Sequence, residues 1–248
     1  MWFFNNFNRL ARSYQGTDEK PDKYYSILPT VLRLTGDTNG RIAVDLGCGS
    51  GFFTLPIAER GADLVIGIDS SEEQLAIARE KALENTQFRL GNAFKDALPV
   101  TDVVVAPFIA NYATNSDELR AFFRRIFQSL NAGGHAVFVV DLPEMYDYIK
   151  FKRRRAFGAV KWWCVGTSFT DGAMIQNHLY NGRGKCVCSL WAYYYTPMTI
   201  QFALQDAGFR NIRWHKPEIS EEGLERLGEK FWEGYCNHPE LGYITAEK

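Results

Sequence analysis

Residues 42–53 read Ile42-Ala43-Val44-Asp45-Leu46-Gly47-Cys48-Gly49-Ser50-Gly51-Phe52-Phe53. The apolar run before the glycines suits a buried strand. Three alternating glycines suit a tight turn whose backbone approaches a ligand closely. Turns of this kind usually cradle pyrophosphate, and the dinucleotide fingerprint is G-x-G-x-x-G. Here Phe52 stands where its last glycine belongs. Asp45 adds a carboxylate two residues before Gly47. Such a group repels a pyrophosphate and attracts a positively charged ligand. A plain tight turn, or Asp45 capping the next helix, are the competing readings.

Outward from this stretch, strands and helices alternate. RIAVDLG reads as a strand, 52–60 as a helix stopped by Gly61, and DLVIGID as a second strand. A capping box of Ser70 and Glu73 opens the next helix. QFRLGN and TDVVVA read as the third and fourth strands. Leu119, Phe122, Phe123, Ile126, Phe127 and Leu130 recur at helical spacing, with Asn115 or Ser116 as cap and Gly133-Gly134 as the stop. HAVFVVD is the fifth strand. Upstream, the first dozen residues read as a short helix, 14–18 as a loop and 26–34 as a helix. After Pro143, KWWCVGTSF, AMIQNHLYN and KCVCSLWAYYY read as antiparallel strands joined by turns at 170–172 and 181–184. A helix over 199–207, the strand FRNIRW, a helix over 220–232 and the strand LGYITAE complete the chain. The fold class expected is α/β: a doubly wound, mostly parallel seven-stranded sheet with an antiparallel insertion.

The chain of 248 residues is 46% hydrophobic and 15% aromatic, with a net charge of −1. That charge removes the broad attraction expected of a nucleic-acid binder. Five cysteines without a C-x-x-C pair argue against a disulfide framework and a zinc site. The N-terminus lacks the order of a signal peptide, and no apolar run is long enough to span a bilayer, so a cytoplasmic protein is expected. The run Lys150 to Arg155 reads as a solvated helix face.

A ligand with an ammonium, a sulfonium and no phosphate suits Asp45, and S-adenosylmethionine is such a ligand. Asp69 ends the second strand about 20 residues past the loop, where an acid accepts from ribose hydroxyls. Asn92 suits the adenine edge and Phe94 its face. On VDLGCGSG, GIDSS, GNAF, APF and LNAGGHAVFVV, the chain resembles the class I S-adenosylmethionine-dependent methyltransferases. The resemblance covers 41–141 and, more loosely, the last helix and strand. It implies a Rossmann-like methyltransferase fold and a single methyltransferase domain over 1–248. The N-terminal helical cap is expected over 1–36 and the inserted lid over 145–197. It also implies cofactor contacts from Asp45, Gly47, Cys48, Gly49, Gly51, Asp69, Ser70, Asn92, Ala93, Phe94, Ala106 and Pro107. The family commonly has aspartate where this chain has Asn92, and lysine-proline where it has Asn131-Ala132. IANYA at 109–113, LQDAGFRNIRWHKPEIS at 204–220 and Phe231-Trp232 are similar to the toxoflavin (azapteridine) N-methyltransferase group. That likeness implies a planar, nitrogen-rich acceptor.

Tyr14, Tyr112, Trp191 and Tyr193 are the expected substrate contacts. Tyr14, Tyr24, Tyr112 and His215 are candidates to assist the reaction, and no spacing singles out a base. Trp162, Trp163 and the other aromatics of the insertion face either the core or a flat substrate. The Asn/Asp-Pro-Pro-aromatic run of base-methylating enzymes is lacking at Ala106-Pro107-Phe108, and no proline precedes a cysteine. The expected activity is methyl transfer to a nitrogen, or secondarily an oxygen, of a small aromatic or heterocyclic metabolite. S-adenosylhomocysteine would be the by-product, with no metal and no nucleic-acid or membrane partner. A non-catalytic sensor or scaffold that binds S-adenosylmethionine is the alternative, and a nicotinamide oxidoreductase is the third reading. The oligomeric state is left open.

Overall fold

The computed structural model describes residues 5–142, 154–163, 170–237 and 240–248. The elements in order are α1 (Phe7–Gln15), a π-helical turn (Lys23–Ile27), α2 (Leu28–Thr35), β1 (Ile42–Leu46), α3 (Thr54–Glu59), β2 (Leu64–Asp69), α4 (Glu72–Arg79), β3 (Thr86–Leu90) and β4 (Thr101–Pro107). A 3-10 turn (Ala110–Tyr112), α5 (Ser116–Ser129) and β5 (Leu130–Asp141) follow. Then come β6 (Ala159–Trp163), β7 (Met174–Tyr180), β8 (Cys186–Tyr193), α6 (Pro197–Ala207), β9 (Arg210–His215), α7 (Glu221–Leu227), α8 (Glu229–Asn237) and β10 (Leu241–Glu247).

Seven strands form one sheet in the order β3-β2-β1-β4-β5-β10-β9, and β6-β7-β8 form a separate antiparallel sheet. In the large sheet β10 runs antiparallel to both of its neighbours, while β1 to β5 pair in parallel. The alternation predicts an α/β, mostly parallel sheet and the family resemblance a Rossmann-like methyltransferase fold, and the sheet order agrees with both. Strand parity sorts the core into two layers. Val44, Leu46, Val104, Phe138 and Val140 pack with Leu119, Phe122 and Phe123 of α5 and Ile200 and Leu204 of α6. Ala43, Val65, Val103, Val105 and Val139 pack with Val31 of α2 and Ile57 of α3 on the opposite face. A strand places successive side chains on opposite faces, so each covered strand reads as a continuous apolar run.

Several boundaries differ from expectation. The cap of α4 is Ser71, not Ser70, because the Ser71 hydroxyl accepts from Gln74 N at 3.3 Å. Asn115 caps α5, which ends at Ser129, before the glycine pair. Tyr14 and Gln15 belong to α1 and not to a loop. The expected helix over 220–232 is two helices, broken at Gly228 with φ +77. Arg154 is buried beside Glu240 at 3.7 Å, so that part of the basic run is not a solvated face. Lys150 to Arg153 lie outside the described residues, as do the side chains of Trp162 and Trp163. Among the described residues no helix is long and apolar enough to cross a membrane.

Candidate functional site at the carboxyl edge of the sheet

The chain runs β1-β2-β3 toward one edge, then returns to lay β4 on the other side of β1. Loops leaving β1 and β4 therefore diverge and open a crevice at the carboxyl ends of the strands. A cavity of about 300 Å³ occupies it. Gly47 and Gly49 after β1, Asp69 and Ser70 after β2, Asn92, Ala93 and Phe94 after β3, and Pro107 of β4 all line it. Tyr14 and Tyr112 line it as well.

The glycine loop is held from within. Gly47 N and Cys48 N donate to Ile68 O at 2.8 and 3.1 Å, and Gly51 N donates to Cys48 O at 3.0 Å. Gly49 N donates to Asp69 Oδ2 at 2.9 Å, and Ser71 N donates to Asp69 Oδ1 at 2.8 Å. A phosphate loop aims its amides at the ligand. Here four loop amides are engaged inside the protein, and one of them holds a carboxylate at the cavity wall. All three glycines have positive φ, and a Cβ on Gly47 would meet Ile109 Cδ1 at 3.0 Å. Burial raises the pKa of Asp69, opposed by its backbone hydrogen bonds.

Asp45 stands elsewhere than expected. It shares its parity with Ala43 and so faces α3, where it is fully buried. Its Oδ2 accepts from the Thr54 hydroxyl at 2.7 Å, and it is not among the residues lining the cavity. Burial pushes its carboxyl up to about 7, against the Thr54 hydrogen bond. Oδ1 has no partner. Cys48, Gly51 and Ala106 are likewise not among the residues lining the cavity. The Cys48 thiol is buried, and burial raises its pKa. Asn92 Oδ1 accepts from Phe94 N at 2.9 Å, so part of the acceptor capacity expected to meet adenine serves the turn. Phe94 stacks on Phe122 at 4.8 Å between centroids.

The expected substrate contacts divide. Burial raises the pKa of Tyr14 and Tyr112, so both phenols are protonated at neutral pH. A second, smaller chamber adjoins this cavity, and Trp191 and Tyr193 line neither, because the buried parity of β8 is Cys188, Leu190 and Ala192. Their backbones do the anchoring. Asn5 bonds Trp191 twice, at 2.7 and 2.9 Å, and Asn111 Nδ2 donates to Tyr193 O at 2.9 Å. Tyr24 is 46% exposed and stands outside both cavities. His215, on β9, hydrogen-bonds Thr245 Oγ1 at 2.8 Å and likewise lines neither.

Sequence reasoning missed three features. Gln74 of α4 lines the cavity, buried, with Oε1 unpartnered. Phe7 lies edge-on to Tyr112 at 5.8 Å, which brings α1 over the opening. Phe108 carries φ +64, a strained value for an aromatic residue, fixed where its N–H donates to Val139 O at 2.7 Å. A glutamine one turn into the helix after an acidic strand end was a readable signal. The strain at Phe108 was not. Among the described residues no group of three His, Cys, Asp or Glu side chains could hold a metal ion.

The sheet order and the crevice define the class as a Rossmann-like methyltransferase fold. Residues 43–134 match the methyltransferase domain family. The chain is 34% identical over 116 residues to a demethylmenaquinone methyltransferase of Lactococcus lactis, covering 43% of this chain and 44% of that protein. It is 42% identical over 87 residues to the 23S rRNA (uracil(1939)-C(5))-methyltransferase RlmD of Thiobacillus denitrificans, covering 34% of this chain and 20% of that protein. The chain thus spans less than half the length of these two relatives. Among solved structures, a putative S-adenosylmethionine-dependent methyltransferase from Listeria monocytogenes superposes with a TM-score of 0.64 at 22% identity, over 89% of this chain and 95% of that one.

Proposed function

We propose that the protein is an S-adenosylmethionine-dependent methyltransferase that acts on a nitrogen of a small aromatic or heterocyclic molecule. One observation carries the choice of cofactor: the amides of Gly47, Cys48, Gly49 and Gly51 are engaged within the protein, and Asp69 presents a carboxylate in their place. A pyrophosphate finds no free cradle there, whereas a ligand rich in hydroxyl and ammonium donors finds acceptors.

The residues fit such a ligand. The unpartnered Gln74 Oε1 accepts a ligand N–H or O–H, and Asp69 accepts from ribose hydroxyls. Phe94 offers an aromatic face to the base. Gly47 and Gly49 allow the backbone to close on the ligand where a Cβ on Gly47 would crowd Ile109. S-adenosylmethionine supplies an activated methyl group on a positively charged sulfur. The protein's own contribution is alignment and exclusion of water, and alignment alone is worth roughly 7–11 kcal/mol at best. Tyr14, Tyr112 and Phe7 enclose the opening, and the two protonated phenols donate to the acceptor. No general base is assigned.

The named acceptors of the relatives are a demethylmenaquinone and an rRNA uracil. The net charge of −1 and the enclosed aromatic opening support the small molecule over the RNA. A methyl-transfer assay with planar heterocycles and quinols tests the reading, and methylated product supports it. Tight S-adenosylmethionine binding with equal affinity for S-adenosylhomocysteine, and no product from any acceptor, would favour the sensor or scaffold instead.

A further inference from the structure

Behind the larger cavity lies a second chamber of about 60 Å³, and Tyr14, Phe108 and Tyr112 line both. At roughly 10–15 Å³ per water it has room for about four to six waters, or one polar end of a ring. Its wall is charged yet balanced. Lys20 pairs with Asp22 at 3.0 Å, Lys23 with Asp18 at 2.5 Å, Lys161 with Asp141 at 2.8 Å, and Arg154 approaches Glu240 at 3.7 Å. Every cation on the wall therefore already faces a carboxylate.

Among the uncharged side chains described on the wall, two polar atoms are left over. Thr17 is fully buried and Asn177 is 8% exposed, and Thr17 Oγ1 and Asn177 Oδ1 have no hydrogen-bond partner. The orientation of Asn177 is fixed, because its Nδ2 donates to Asp141 Oδ2 at 2.9 Å. Its remaining atom is an acceptor only. A buried acceptor without a donor costs about 1–3 kcal/mol, which a suitable ligand recovers.

Resting on the methyltransferase reading above, we infer that this chamber selects the acceptor by its inner end. That end is uncharged and presents N–H or O–H donors to Asn177 Oδ1 and the Thr17 hydroxyl. A carboxylate or phosphate end is rejected, because among the described residues every cation of the wall is already paired. A purely apolar end is rejected because it leaves Asn177 unpaired.

Calorimetric titration with three bicyclic rings tests this: quinazoline-2,4-dione, which carries N–H donors, naphthalene, which carries none, and 2-naphthoate, which is anionic. Titrations run with and without S-adenosylmethionine, whose own binding is measured separately. The dione is expected to bind at least about tenfold more tightly than the other two, the worth of about one hydrogen bond. Asn177→Leu and Thr17→Val should each erase most of that preference and leave S-adenosylmethionine affinity unchanged. Naphthalene or 2-naphthoate binding as well as the dione, no binding of the dione, or a preference that survives both substitutions overturns the inference. Absent S-adenosylmethionine binding overturns the proposed function instead, and the ring preference is still read on the protein alone. If Asn177→Leu does not fold, Thr17→Val and the wild-type panel decide.

Discussion

The larger cavity and the chamber share three aromatic side chains, but they are assembled in opposite ways. Backbone turns at the ends of β1, β2, β3 and β4 supply most of the larger cavity, and its polar lining includes the side chains of Asp69, Gln74, Asn92 and Glu118. The chamber draws buried charged side chains from the α1–α2 segment, β5, β6 and the approach to β10, and holds them as ion pairs. Strand-end turns are local and robust. Buried ion pairs depend on both partners arriving from distant parts of the chain, and losing one partner leaves an uncompensated charge. Substitutions in the chamber should therefore cost stability, and those in the larger cavity should cost binding.

The largest effect expected from this contrast is on stability. Asp141→Leu strands the Lys161 ammonium, which is otherwise held by Asp141 and by Glu240 O at 2.8 Å. It should destabilise the fold by about 3–5 kcal/mol in urea denaturation, and adding Lys161→Met should recover most of the loss. A single variant as stable as the parent would break the contrast. Next in size, Asp69→Ala should weaken S-adenosylmethionine binding by about 100-fold with the fold intact, the worth of hydrogen bonds to a charged group. Circular dichroism and calorimetry together read both halves of that expectation.

Asp45→Asn has an effect of definite sign that depends on pH. The folded carboxyl of Asp45 is pushed up to about 7 by burial, whereas the unfolded one titrates near ~4. A carboxyl raised in the folded state subtracts stability as pH climbs through that window, and the loss is complete above it. Asn at this position removes the loss. The variant should match the parent's melting temperature at low pH and exceed it at pH ~8, by about 2–4 °C for each kcal/mol recovered. Equal melting temperatures at both pH values would mean that Asp45 ionises freely. The smallest expected effect is at His215, outside both cavities. His215→Ala should leave turnover within about twofold, as substitutions away from such sites usually do, and a larger loss would mean that the site extends to β9.

Local rules carried the sequence reading as far as the larger cavity. Gly47, Gly49, Asp69, Ser70 and Asn92 sit at strand ends that hydrophobic runs and turn residues mark on their own, and all five line it. The reading lost accuracy where a distant partner decides. Asp45 was visible as an acid near the loop, but Thr54, nine residues on, claims its oxygen. Trp191 and Tyr193 were visible as one face of β8, but apolar residues occupy both faces, so alternation alone did not say which turns inward. The chamber was illegible because its charges look like solvated ones in sequence. Only the fold pairs Lys161 with Asp141, and Arg154 with Glu240 across 86 positions. Gly228 did carry a readable sign of the break between α7 and α8, since its φ of +77 favours glycine.

The central claim is that the Gly47–Gly51 turn serves a cationic methyl donor and not a phosphorylated coenzyme. Parallel calorimetric titrations with S-adenosylmethionine and with a reduced nicotinamide dinucleotide test it most directly. The account predicts saturable one-site binding of S-adenosylmethionine, weakened by Asp69→Ala, and no binding of the dinucleotide. Saturable dinucleotide binding that S-adenosylmethionine fails to displace would contradict it.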